Sequence, residues 1–247
     1  MRQAFILTVA LTFLLIHGAG ISLAQASAWS SPRQISTTGE FAWFPDIAAD
    51  PFGHVHIVWA SFLPGYDYAS KNIDSVIYAS ADRSGIWSRP TDIIILGDGG
   101  AATRPTITFD TQGNAHIVAR DGEVMRYFHV PFNGLTSPRL WPPGKIVNSF
   151  GPAYFSQVVA GQDGRLHLVT TDYLHAEECK PCLSVLYRQS LNGGETWTRP
   201  TLISSLGLGA AKPKMIVSSH GDLHLVWESG MGGDLGRVTG NVQVDYA

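Results

Sequence analysis

The chain is short of charge. Asp, Glu, Lys and Arg make up 15% of its 247 residues, and the 17 basic residues form no block. An average soluble domain carries about 25% charged residues. A charged disordered tail and a coiled coil are therefore excluded, and with a net charge of −3 no basic stripe is left for nucleic acid. Cysteine is nearly absent: Cys179 and Cys182 are the whole supply, so no disulfide framework organises the fold. Beyond the first residues no apolar run approaches the roughly 20 residues of a membrane span. Chain-breakers, in contrast, abound, with 26 Gly and 14 Pro. They argue against long helices and for many short elements joined by tight turns.

The first 26 residues read as a secretory signal. Met1, Arg2 and Gln3 give a basic start, Ala4 to Ile16 are almost all apolar, and Ala24-Gln25-Ala26 supplies an A-x-A cleavage site. His17 and Gly18 break the apolar run, which weakens the alternative of an anchor. The expected mature chain is 27–247, without a membrane span, and secreted, periplasmic or at the cell surface.

An internal repeat organises this remainder. Segments starting at Pro45, Pro105, Ser156 and Pro213 each place a Gly eight residues on (Gly53, Gly113, Gly164, Gly221) and a His three later (His56, His116, His167, His224). The His spacings are 60, 51 and 57 residues. Each copy alternates apolar residues, turns at the Gly, and returns as a β-branched strand such as Ile57-Val58-Trp59. A Tyr strand follows, ending at Tyr78, Tyr127, Tyr187 and Tyr246. A third pattern comes next, at Trp87–Pro90, Leu135–Pro138 and Trp197–Pro200, and Trp29–Pro32 adds an orphan copy near the start. Four strands every 50 to 60 residues predict the blades of an all-β propeller. The fourth repeat lacks its last strand and the N-terminus has a spare one, so the expectation is a closed four-blade ring completed by residues 29–35. The alternative is part of a larger, six-bladed propeller.

Two linkers carry a family resemblance. Ser190, Asn192, Gly194, Thr196 and Trp197 resemble the Asp box, Ser-x-Asp-x-Gly-x-Thr-Trp, of sialidase-like (BNR-repeat) propellers, and Ser80, Asp82 and Trp87 match it in part. Between His129 and Leu135 the pattern is lost. Physically the box is a folding staple: Asp or Asn accepts turn N–H groups, Gly permits a left-handed step, and Trp packs beneath, its N–H seeking an acceptor. The resemblance implies these boxes lie on the outer rim, remote from any catalysis.

Sialidases cleave terminal sialic acids with three Arg on the substrate carboxylate, a Tyr nucleophile activated by Glu, and an Asp acid/base. The family's first Arg motif is not found. Arg104-Pro105 is the nearest fragment, but its Pro belongs to the repeat; Arg120 is the strongest single Arg. No catalytic residue is therefore carried over. Propeller topology places the loops that follow each His strand, and those that lead from one repeat into the next, on one face, where Trp43, Tyr66, Tyr68, Arg120, Asp172 and Glu228 suit a glycan. The four repeated His read as packed, hydrogen-bonded core residues, so no metal ligand and no cofactor is assigned. Cys179-Lys180-Pro181-Cys182 reads as a small loop disulfide, with a redox pair and half a metal site as alternatives. The sequence thus predicts an exported propeller that binds glycans or a cell-surface protein. A sialidase-type hydrolase and an interaction scaffold are the other readings.

Overall fold

The computed structural model describes residues 29–37, 39, 41–62, 74–95, 102–135, 137, 141–148, 150–176, 179–231 and 238–247. The expected signal sequence, Tyr66 and Tyr68 lie outside the described residues.

Four antiparallel sheets succeed one another along the chain. Blade I holds β1 (Phe41–Ala49), β2 (Val55–Phe62), β3 (Asp74–Ala81) and β4 (Thr91–Ile95). Blade II holds β5 (Ala102–Phe109), β6 (Ala115–Asp121), β7 (Val124–Val130) and β8 (Lys145–Ile146). Blade III holds β9 (Ala153–Ala160), β10 (Leu166–Ala176), β11 (Cys179–Ser190) and β12 (Thr201–Leu202). Blade IV holds β13 (Gly209–Val217), β14 (Leu223–Met231) and β15 (Thr239–Tyr246). The strand pattern is that of a four-blade β-propeller, with the innermost strands β1, β5, β9 and β13 meeting around one cavity.

The sequence expectations need three corrections. Residues 29–37 contain no strand, and among the described residues the fourth sheet has three strands, so the expected closing strand is not found there. Ile35 instead packs on Trp59, Ile77 and Ala79 of blade I. The outermost strands begin after the Trp-x-x-Pro patterns, not at them: β4 follows Pro90 and β12 follows Pro200, while Trp87 makes only an isolated bridge to Ala81. Proline has no N–H for the ladder, so pairing resumes past it. Finally, the segment that holds Asp172 and the two cysteines, expected as loop, is mostly strand: Leu174 pairs with Cys182 and Ala176 with Cys179.

Apolar faces between blades form the core. Val58, Val76 and Tyr78 of blade I pack on Ile107, Ile117 and Phe128 of blade II. Met125 and Tyr127 of blade II pack on Val158, Leu166 and Leu168 of blade III. Val169 and Val185 of blade III pack on Met215, Leu225 and Trp227 of blade IV. Two side chains reach across as polar staples from equivalent positions. Asp46 Oδ2 accepts from the Ile107 N–H at 2.8 Å, and Gln157 Oε1 accepts from the Met215 N–H at 2.5 Å. Thr106 holds the same place in blade II, and its hydroxyl finds no partner among the described residues. A Thr side chain is too short to span the gap.

Each blade carries one His–Tyr pair. The Tyr sits opposite the residue two after the His: Val58 pairs with Tyr78, Val118 with Tyr127, Val169 with Tyr187, and Val226 with Tyr246. That diagonal register brings the rings together. The Nδ1···Oη distances are 2.7, 2.7, 2.7 and 2.8 Å in blades I to IV. His56, His116 and His167 are buried, whereas His224, expected in the core with them, is only half-buried.

Candidate functional site at the propeller axis

The inner strands share a deformation. In blade I, Trp43 pairs with Ala60 and Asp46 with Val58, so two residues oppose one. The same bulge lies between Thr103 and Thr106 and between Ala211 and Lys214. The residue before the proline in each, Phe44, Arg104 and Lys212, has φ of 50°, 53° and 50°. Non-Gly residues seldom adopt this left-handed conformation, and a following proline disfavours helical geometry further. Blade III has Ser156 in place of proline, which can donate to the ladder. Its pairing runs one step further before the bulge, and Phe155 keeps an ordinary φ. The ladder therefore breaks where proline cannot donate, and the strained residue is turned toward the axis.

A cavity of about 200 Å3 lies where the four bulges converge, lined by Phe44, Asp46, Arg104, Phe155, Lys212 and Lys214 among others. The Arg104 guanidinium sits 4.8 Å from the Phe44 ring centre and 4.7 Å from that of Phe155, held between two aromatic faces. Burial raises the Asp46 carboxyl above its ordinary value, opposed by the Ile107 N–H and the nearby Lys214.

The residues singled out in the sequence fall around this cavity in part. Trp43 stacks on Phe44, with ring centres 5.9 Å apart. Arg120 donates from Nε to the Ala153 carbonyl at 2.9 Å and lies 4.5 Å from the Tyr154 ring centre; burial lowers its pKa. Glu228 accepts from Lys212 Nζ at 3.0 Å. Asp172 is different. It is 0% exposed on strand β10 rather than in a loop, and its carboxylate lies 3.9 Å from the buried Arg188 guanidinium, so it belongs to the interior of blade III. Phe44, Phe155 and Lys212 escaped the sequence reading, and Arg104 was weighed there only as a fragment of the Arg motif and set aside. The pre-proline position was their signal, yet that position ordinarily predicts extended backbone.

The two segments that resemble Asp boxes are hydrogen-bonded turns. Asp82 Oδ1 accepts from the Ser84 and Ile86 N–H groups at 2.9 and 3.0 Å. Asn192 Oδ1 accepts from the Thr196 N–H at 2.9 Å, and Ser190 Oγ from the Gly194 N–H at 2.9 Å. Tyr127 of blade II inserts beneath the second turn, donating to the Gly193 carbonyl at 2.9 Å and meeting the Trp197 ring edge-on at 5.2 Å. Contrary to expectation, the buried Trp197 N–H finds no acceptor among the described residues. In blade II, where the sequence pattern is lost, Trp141 takes the Trp role. It meets Tyr78 edge-on at 5.2 Å and donates to the Gly134 carbonyl at 3.1 Å. Cys182 is buried and disulfide-bonded.

No family model matches the sequence, and no curated protein matches it. Solved structures do. A protein of unknown function from Dyadobacter fermentans aligns with a TM-score of 0.61 and 12% identity, over 85% of this chain and 66% of that one. An alpha-L-arabinanase from Penicillium chrysogenum, complexed with arabinobiose, gives 0.57 and 12%, over 83% of this chain and 62% of that one. A GH43 endo-arabinanase from Bacillus licheniformis gives 0.52 and 16%, over 83% and 73%. The chain thus spans less than two thirds of the first and second of these proteins. At such identities the likeness establishes the propeller fold. Among the described residues no helix is long and apolar enough to cross a membrane.

Proposed function

We propose that this chain is an exported carbohydrate-binding propeller whose axial cavity takes the terminal, carboxylate-bearing unit of an acidic glycan. The observation that carries the proposal is the cluster of Arg104, Lys212 and Lys214 around one cavity flanked by the rings of Phe44 and Phe155. Cations held at fixed positions favour a carboxylate, and the two rings fix the Arg104 guanidinium in place for it. The cavity is small beside the roughly 300–1,000 Å3 of drug-sized sites, which favours one sugar unit over a long chain. Arabinanases among the similar folds, and the Asp-box resemblance to sialidases, support a carbohydrate ligand.

Binding is favoured over hydrolysis. Glycoside cleavage generally needs two carboxyl groups flanking the bond. The four equivalent inner-strand positions hold Asp46, Thr106, Gln157 and Lys214, and the Asp46 carboxylate is engaged by the Ile107 N–H. A glycan array tests the reading. The expected signal falls on uronate- or sialate-terminated glycans and is lost in Arg104→Ala; a signal confined to neutral glycans, or none, refutes it. Export is checked separately by fractionating producing cells, with the mature N-terminus expected at Ser27.

A further inference from the structure

At the opposite end of blade I, the β1–β2 turn and the start of β2 hold two imidazoles against one carboxylate. Asp50 Oδ2 is 2.7 Å from His54 Nδ1 and 3.3 Å from His56 Nε2, and one donor atom from each of the three residues lies within 4.8 Å of the others. His56 is oriented from behind by Tyr78, whose Oη lies 2.7 Å from Nδ1. A cavity of about 450 Å3 opens beside the cluster, and Ser80 and Asp82 line it too. The His54 side chain is 34% exposed, whereas that of Asp50 is closed off at 0%.

Blade II provides the reference for what hydrogen bonding alone requires. There Asp110 Oδ2 accepts from Asn114 Nδ2 at 2.8 Å and lies 3.3 Å from His116 Nε2, with His116 Nδ1 again 2.7 Å from a Tyr hydroxyl. The frame is therefore built twice, and an amide suffices to hold it. Blade I has an imidazole in the place of that amide. An amide N–H2 has no lone pair to give a metal, whereas an imidazole nitrogen does.

We propose that Asp50, His54 and His56 bind a divalent first-row transition ion of the zinc type, with a fourth coordination position facing the cavity. Two nitrogens and one carboxylate oxygen are the donors such ions prefer, and the harder Ca2+ and Mg2+ take oxygen sets. Tetrahedral bonds of about 2.0–2.1 Å separate ligand atoms by roughly 3.3 Å, the spacing between Asp50 Oδ2 and His56 Nε2. Tyr78 supplies the outer-shell contact that fixes a ligating His ring.

The test uses the tag-free chain, stripped with a chelator and titrated with Zn2+ by calorimetry and with Co2+ by visible absorption. One equivalent of Zn2+ is expected, with intense tetrahedral Co2+ bands, while Ca2+ gives no uptake at the site. His54→Asn copies the blade II arrangement and so keeps the hydrogen bond to Asp50; it is expected to fold, as circular dichroism checks, and to weaken Zn2+ binding at least tenfold. No stoichiometric uptake by the unmodified chain, uptake of Ca2+ instead of Zn2+, or unchanged affinity in His54→Asn would each overturn the assignment. The Co2+ spectrum of the unmodified chain decides without any variant.

Discussion

Tyr127 and Tyr246 occupy equivalent places and hold equivalent His partners, yet only one of them is inside the protein. Tyr127 is 2% exposed beneath the Gly193-Gly194 turn of the next blade, while Tyr246 is 67% exposed on the outward face of blade IV. Around Tyr246, Val242, Val244 and Ile216 are exposed as well. The comparison separates two levels of organisation. Strand register alone makes the His–Tyr pair, since it forms at 2.8 Å in blade IV without burial. A neighbouring blade turns that pair into a folding element by desolvating it and giving the hydroxyl a second partner, and there the cost of disruption rises.

The glycines give the largest expected contrast. A Cβ on Gly194, at φ +85°, falls 2.0 Å from Tyr127 Oη, while one on Gly221 of blade IV, at φ +88°, meets nothing within 4 Å. Gly221→Ala therefore carries only the backbone cost of about 1 kcal/mol. Gly194→Ala adds overpacking of a buried ring, and is expected to lose about 3 kcal/mol or more in denaturant unfolding. Equal losses in the two variants would dissolve the distinction between the blades.

The hydroxyls come next. Tyr127→Phe leaves His116 and the Gly193 carbonyl without their buried partner and is expected to cost about 1–3 kcal/mol. Tyr246→Phe, largely solvated, should stay within about 0.5 kcal/mol. A similar midpoint shift in both would mean that the inter-blade bond adds nothing.

Acid offers a subtler probe. Burial lowers the His116 pKa to about 4, against the opposing pull of Asp110. The unfolded chain titrates this group near 6.5, so its folded form excludes a proton that the unfolded form binds. The stability contributed by the neutral form is present above pH 6.5 and is lost as pH falls from 6.5 toward 4. The melting temperature of the protein should drop across that window, and His116→Gln should flatten the slope. A variant with an unchanged slope would show that other groups govern acid sensitivity.

Much of this was readable from residue order. The Gly and His spacings gave the hairpins, because both follow from a period-two ladder and a fixed turn. The diagonal His–Tyr pairs were not readable, since the separation varies from 11 to 22 residues with the loop between the strands. The position of the outermost strands was not readable to the residue, since Trp87 and Trp197 pack as staples while the strands wait until proline is passed. Trp141 was hidden because it reaches Tyr78 from outside the motif, by a contact between blades that no local pattern encodes. The axial cavity was hidden for a related reason. Pro105 belongs to the repeat, and only the broken ladder before it shows why the Arg104 side chain turns inward.

Titration calorimetry with a matched pair of oligosaccharides tests the central claim most directly: a uronate-terminated chain and its carboxyl-reduced, neutral counterpart. The acidic sugar is predicted to bind at least tenfold more tightly, with that preference lost in Arg104→Gln. Equal affinity for the two sugars, or a preference that survives in Arg104→Gln, would contradict the axial cavity as a site for acidic glycans.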